Sequence, residues 1–327
     1  AMSTLTRRQL IAASAAAATL GLPALARAQG RTLRILVGFP PGGGTDAIAR
    51  LLGEALKAEL GGATVVVENK AGAGGQLAAQ ALKAAAPDGN TVFISHDHTI
   101  SILPLVSKTP GFEPAKDFVP VGGFASFVNA FAVSPGTPAR TMDEYVAWVR
   151  GNGGGKGTVG VPAPASTPEF LVKVLGGRYQ LDLVPVPYRG SAPMMADMLG
   201  NQIAAGVGSV PDFIENHRAG RLRVLAVLGR ARQPALPEVP SFGEMGLTGF
   251  DDLPYYGFWA PAGTPAAAVD GFSQALGRAM AQPAVRERLG QLGLTVDVMS
   301  PSQLAAREQA YTRSWAGIIQ RSGFQPQ

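Results

Sequence analysis

From Arg31 onward, short β-branched runs alternate with amphipathic stretches, and turns rich in glycine or proline separate them. A chain patterned this way is confined to α/β architectures on largely parallel sheets, since each helix must bury its apolar face against the strands it connects. Residues 33–37 read as a strand. After a glycine turn a helix runs from about 46 to 60, with Ile48, Leu51, Leu52, Ala55 and Leu56 on one face. The plan repeats with a strand at 64–68, a turn at 71–75 and a helix at 76–86, and Pro87-Asp88-Gly89-Asn90 turns the chain into a strand at 91–95.

A second series begins after Val133-Ser134-Pro135-Gly136. It reads as a helix at about 142–150, a glycine stop at 151–155, a strand at 158–161, a helix from Pro168, a strand at 181–188 and a helix at 192–199. A strand at 203–207, a helix from Pro211 and a strand at 222–228 follow. The last strand-like segment, 255–260, precedes three consecutive helical patterns starting near Pro265, Pro283 and Pro301, where proline suits a first helical turn. The chain is expected to leave one lobe, build a second and return. With 327 residues, 46% of them hydrophobic, it is long enough for two cores and is not disordered.

Residues before Arg31 belong to a different pattern. Arg7-Arg8 precede an apolar, Ala-rich run at 11–22 and a small-x-small ending at Ala26-Arg27-Ala28. These are the parts of a secretory signal, with paired arginines suited to twin-arginine export and cleavage expected after Ala28. Removing 1–28 takes away Arg7, Arg8 and Arg27, so Lys+Arg falls from 28 to 25 against 23 acids and the net charge from +5 to +2. The remaining basic residues form no arm or stripe, which argues against nucleic acid. A soluble 299-residue periplasmic product is expected, and the absence of cysteine excludes disulfides, thiolate nucleophiles, Cys-ligated zinc and a lipidated cysteine anchor.

Ligands of such sheets bind beyond the carboxyl ends of strands, so the strand-to-helix turns carry the chemistry. Gly38-Phe39-Pro40-Pro41-Gly42-Gly43-Gly44-Thr45-Asp46 is an anion cradle, because glycines admit close backbone approach and a helix N-terminus offers free N–H groups. Asp46 reads as the helix N-cap and Thr45 as a ligand hydrogen-bond partner. Gly42-x-Gly44-x-x-Ala47, with Glu68 ending the next strand, also fits a dinucleotide fingerprint, which keeps an exported NAD(P)-dependent oxidoreductase as the alternative. Gly155-Lys156-Gly157 lacks the hydroxyl residue a phosphate-binding loop needs for magnesium. Ser95-His96-Asp97-His98 reads as a hydrogen-bonding loop at the cleft edge rather than a metal site, with the third histidine, His217, on a separate helix. Gly208-Ser209-Val210-Pro211 lacks the second glycine of a nucleophile elbow. Ala165-Ser166-Thr167-Pro168-Glu169 opens the first helix of the second lobe, either with Ser166 and Glu169 as a capping box or with Thr167 as the cap and Pro168 at the first helical position.

Several of these segments carry a family likeness. Phe39-Pro40-Pro41-Gly42-Gly43-Gly44-Thr45-Asp46, Glu68-Asn69-Lys70-Ala71-Gly72-Ala73-Gly74-Gly75 and Val186-Pro187-Tyr188-Arg189-Gly190-Ser191-Ala192-Pro193 resemble the tripartite tricarboxylate transporter substrate-binding proteins, the Bug or TctC family. Leu236-Pro237-Glu238-Val239-Pro240-Ser241-Phe242-Gly243-Glu244 and Ala260-Pro261-Ala262-Gly263-Thr264-Pro265 extend the likeness toward the C-terminus. The resemblance implies a two-lobed, type II periplasmic binding fold without catalysis or cofactor. It implies a monomer that closes on a small carboxylate and hands it to membrane transporter subunits. Lobe one would comprise 29–128 and 256–327, and lobe two 129–255. Ligand contacts are expected from Phe39, Gly43, Gly44, Thr45 and Asp46, from Ala73, from Ser95 and His96, from Ala165, Ser166 and Thr167, and from Gly208 and Ser209.

Two departures from the family pattern bear on the ligand. The second-lobe loop, Pro162 to Phe170, is proline-rich and lacks a histidine common in the family, and Gly208-Ser209 stands where many members have Asp-Asn. A pocket without that carboxylate offers an ammonium no partner, so a non-aminated mono- or dicarboxylate, or an aromatic acid resting near Phe39, is expected over an amino acid.

Overall fold

A computed structural model describes residues 32–250, 252–322 and 324–326. The arginine-paired leader and its cleavage point lie outside the described residues. In chain order the first elements are β1 (Thr32–Val37), α1 (Gly44–Glu59), β2 (Thr64–Asn69), α2 (Gln76–Lys83) and β3 (Thr91–His96). A π-helical turn at His98–Ile102 runs into α3 (Leu103–Val106), followed by α4 (Pro114–Asp117), β4 (Phe118–Ser126) and β5 (Asn129–Val133). Then come α5 (Met142–Gly153), β6 (Lys156–Val161), α6 (Thr167–Tyr179), β7 (Asp182–Pro187), α7 (Ser191–Leu199), β8 (Ala205–Ser209), α8 (Val210–Arg218) and β9 (Arg223–Val227). The chain ends with β10 (Tyr255–Pro261), α9 (Ala266–Ala281), α10 (Pro283–Gln291), β11 (Thr295–Met299) and α11 (Pro301–Ser322).

The strands form two sheets, ordered β11-β4-β10-β3-β1-β2 and β7-β6-β8-β5-β9. Within the first, β1 runs parallel to β2 and β3, and β10 is antiparallel to β3 and β4. Within the second, β6 is parallel to β7 and β8, and β5 is antiparallel to β8 and β9. Strands buried on both faces alternate their side chains between two cores. Leu33, Ile35 and Val37 pack beneath α1 and α9, whereas Leu36, Phe93 and Trp259 pack toward α2 and α11. Phe131 and Val159 face α5 and α6, and Ala130 and Ala132 face the methionines of α7.

The chain passes between sheets twice, at Phe127–Val128 and again between β9 and β10. Phe127 N–H donates to Pro254 O at 3.1 Å, so the two crossings are tied to each other. The expected run of three C-terminal helices is interrupted. β11 intervenes between α10 and α11 and adds an antiparallel edge to β4, a strand the sequence pattern also did not mark.

Candidate functional site

Four helices begin around one cleft between the sheets, each at the carboxyl end of a parallel strand. The first, α1, has Gly43 as its N-cap with no side-chain cap of its own. Asp46 is the third helical residue instead of the expected cap. It reaches back to Gly42 N–H at 3.0 Å and is held by Arg50 at 2.9 and 3.0 Å and by Asn69 Nδ2 at 2.9 Å. Burial alone would raise the Asp46 pKa, but the bonds from Arg50, Gly42 and Asn69, with the Arg50 charge, leave it below the ordinary value. Thr45 turns inward, its hydroxyl 3.1 Å from Tyr256 OH on β10.

The other three starts belong to the second sheet. Ser166 caps α6 by position, yet its hydroxyl donates to Ala163 O at 2.7 Å, while Glu169 accepts from Ala165 N–H at 2.7 Å and pairs with Lys173 at 2.6 Å. The capping box read from the sequence is therefore not formed: Ser166 bonds back into the loop, and Glu169 takes the N–H of Ala165 and the ammonium of Lys173 instead. The Thr167 hydroxyl is buried and makes no hydrogen bond. Ser191 opens α7. Ser209 and Asp212 form a true capping box on α8, with Asp212 Oδ2 accepting from Ser209 N–H at 3.0 Å and from its hydroxyl at 2.7 Å. The other oxygen, Oδ1, accepts Gly44 N–H from across the cleft at 3.1 Å. Asp212 thus caps its own helix and α1 together. Only glycine permits this approach, since a Cβ at Gly44 would stand 2.9 Å from Asp212 Oδ1 and one at Gly43 2.8 Å from Ser191 Oγ.

The end of β3 closes the remaining side. The Phe39 ring stacks on His96 at 5.1 Å, and Phe127 and Tyr256 meet the same imidazole edge-on. His96 Nδ1 accepts His98 N–H at 3.4 Å, and Asp97 Oδ2 accepts Tyr311 OH at 2.9 Å. Both ring nitrogens of His98 are buried without partners, and desolvation, reinforced by His96, lowers its pKa to about 4. His98 is accordingly a neutral imidazole with an unused N–H. The enclosed cavity has a volume of about 50 Å³, and no Lys or Arg side chain lines it. Among the described residues, no three His, Asp or Glu side chains are grouped to hold a metal ion.

Residues 48–324 match the model of the TctC family, described as the tripartite tricarboxylate transporter family receptor. The chain belongs to this family. Three solved structures show how closely the TctC fold is kept. The periplasmic binding protein BugD superposes with a TM-score of 0.85 at 31% identity, covering 91% of this chain and 99% of BugD. A Rhodopseudomonas palustris protein solved with adipate superposes at 0.85 with 26% identity, over 91% of this chain and 99% of its own. MatC from Rhodopseudomonas palustris, with bound malate, superposes at 0.80 with 28% identity, over 88% and 99%. The family read from the sequence and its two-lobed binding-protein fold both hold.

In this TctC receptor Phe39, Thr45, His96, Ser166, Thr167 and Ser209 come together around the one cavity. Gly43 and Gly44 stand behind it against Ser191 and Asp212, and Gly208 packs under Asp212 and Phe213. Asp46, Ala73, Ser95 and Ala165 do not line it. Ser95 is buried within β3 opposite Gly257. Ala73 and Ala165 instead hold positive φ in the turns, at 47° and 50°. Phe127, Asn129, Ser191, Asp212 and Tyr256 were not named from the sequence as ligand contacts, and of the loop 95–98 read at the cleft edge only Ser95 and His96 were, not Asp97 and His98. Of these, His98 and Asp212 carried a local signal, one in the His-Asp-His loop and the other as the third residue after Ser209. The expectation of a pocket without a carboxylate is corrected, because Asp97 and Asp212 both line it. Both Asp212 oxygens are engaged, by Ser209 and Gly44, whereas Asp97 is held by Tyr311 at Oδ2. The turn that would carry a dinucleotide pyrophosphate faces Ser191 and Asp212, and Glu68 is paired with Arg34 and Lys70.

Proposed function

We propose that this chain is a periplasmic solute receptor that closes its two lobes on a small, non-aminated organic carboxylate and delivers it to a tripartite tricarboxylate-type transporter. The observation that carries the reading is the convergence of four helix N-termini, at Thr45, Thr167, Ser191 and Ser209, on a cavity lined by no Lys or Arg side chain. Helix ends supply N–H donors and positive potential, so an anion is held by dipoles and hydroxyls without an ion pair. The neutral His98 N–H, and the Thr167 hydroxyl beside Tyr311, add donors toward the cavity that a ligand could use. Two related structures hold adipate and malate, both non-aminated carboxylates. Asp97 and Asp212 line the cavity, so aspartate is the arm of the test that separates an aminated from a non-aminated acid.

A thermal-shift panel tests this with malate, adipate, benzoate, aspartate, NAD and NADP. At a hundredfold excess over its dissociation constant a ligand stabilises by about 2.7 kcal/mol, so a true ligand raises the melting temperature by several degrees. The expected result is a rise with at least one non-aminated acid and none with aspartate or the nucleotides. No response to any carboxylate overturns the proposal.

A further inference from the structure

Beside the carboxylate cavity lies a second, larger one of about 170 Å³. The two share Asn129 and Thr167 as a common wall. Beyond that wall the larger chamber has a mixed lining, with Leu228, Leu253, Trp315 and Ile318 as its apolar side and Asp252 and Ser314 among its polar groups. The Thr167 hydroxyl, only 4% exposed as a residue and without a partner, stands between the two.

We infer that this chamber receives the apolar body of the ligand, and that the receptor selects a monocarboxylate carrying an aryl or medium alkyl group. The inference rests on the carboxylate reading above and specifies the substrate class within it. Size decides the first step. The 50 Å³ cavity holds a carboxylate group and little more, whereas a cavity of about 150 Å³ lined by apolar side chains accepts a benzene ring. The 170 Å³ chamber therefore has room for one ring or a chain of similar bulk. Placement decides the second step. The ring of Phe39 is already stacked on His96, which leaves the chamber, with Trp315, Leu228 and Ile318, as the apolar surface open to the ligand. Charge decides the third: in the smaller cavity the starts of α1, α6, α7 and α8 offset Asp97 and Asp212, whereas of these only the start of α6 reaches the chamber, where Asp252 opposes a second carboxylate. Thr167 then bonds the first carboxylate at the threshold.

Calorimetric titration of the purified mature chain with acetate, hexanoate, benzoate and adipate tests the inference. Hexanoate and benzoate are expected to bind at least tenfold more tightly than acetate, and hexanoate more tightly than adipate. Ser314→Leu, which fills the chamber, should weaken benzoate at least tenfold and change acetate less than twofold. Should that variant not fold, Ile318→Ala enlarges the chamber and should shift the preference toward 2-naphthoate over benzoate. Equal binding of acetate and benzoate, or a benzoate affinity indifferent to both substitutions, overturns the chamber's role and leaves the carboxylate receptor standing. Failure of all four acids to bind overturns both.

Discussion

His98 and Glu308 set the acid–base behaviour of the fold in opposite senses. Burial, with His96 beside it, pulls the His98 pKa from 6.5 to about 4. The unfolded imidazole takes up a proton below about pH 6.5 while the folded one stays neutral, so stability is lost as the pH falls from about 6.5 to about 4. Glu308 receives a hydrogen bond from Trp259 Nε1–H at 3.0 Å, yet burial lifts its pKa from 4.5 to about 7. Its folded form keeps a proton that the unfolded form has released, so stability falls as the pH rises from about 4.5 to about 7. Between about pH 4.5 and 6.5 the two slopes offset each other, which makes the single variants more telling than the parent. The stability difference between parent and His98→Gln should change by about 3 kcal/mol from pH 7 to pH 4, and Glu308→Gln should remove the decline toward pH 7. Chemical denaturation at stepped pH checks both, and a His98→Gln difference independent of pH contradicts the assignment. Which residues line the cleft was legible only where one local segment sufficed. The glycine turn of α1 and the hydroxyls of α6 announced themselves, whereas Tyr256 is 211 positions from Thr45 and nothing near either residue signals that their hydroxyls meet.

Among the elements, α1 and α8 are joined by one side chain, and that makes their stabilities interdependent. Asp212 completes the α8 capping box and supplies the α1 N-terminus with the acceptor that Gly43 does not provide. Loss of a cap costs about 1 kcal/mol. Ser209→Ala should therefore destabilise by about 1 kcal/mol, and Asp212→Ala by about 2 kcal/mol because two helix ends lose an acceptor. Urea titration measures both, and equal costs would mean that the Gly44 contact carries no energy. The strands that escaped sequence reading have a physical reason of the same kind. β4 contains Pro120, Gly122 and Gly123, which read as a turn. A Cβ at Gly123 would lie 2.5 Å from Met299 Cε and one at Gly122 3.1 Å from Leu276 Cδ2, so the glycines make room for β11 and α9. That requirement comes from elements more than 150 residues downstream and leaves no local trace. The parallel strands that lead into α1, α6, α7 and α8 were legible because each stands between its own turn signals, and they are the ones that position the cleft.

For the molecule as a whole, the two crossings and the contacts across the mouth determine how readily the lobes part. Phe127 and Pro254 tie the crossings by a backbone bond, while the mouth is held by Asp212 on Gly44, Arg218 on Gln291 O at 2.7 Å and Arg288 on Glu215 at 3.4 Å. The Arg288 and Glu215 side chains are both more than half exposed, and exposed pairs contribute only about 0–1 kcal/mol. The closed arrangement also carries apolar packing, since Phe170 of α6 shares a core with Tyr311 and Trp315 of α11 and its ring lies 5.5 Å from that of Trp315. It also leaves the Thr167 hydroxyl and the His98 ring unsatisfied in the cleft, a penalty that opening to water would relieve. On the proposed reading, the lobes open when no ligand is bound. A bound carboxylate reverses it by pairing those donors, since a ligand shifts an equilibrium by its differential affinity for the two states. Solution scattering should accordingly give the unliganded protein a larger radius than the closed structure, contracting to that value at saturating ligand. The Asp212→Ala variant should be at least as open as the parent before ligand is added. A radius already equal to the closed value, and unmoved by a ligand shown to bind, is the outcome incompatible with lobe closure.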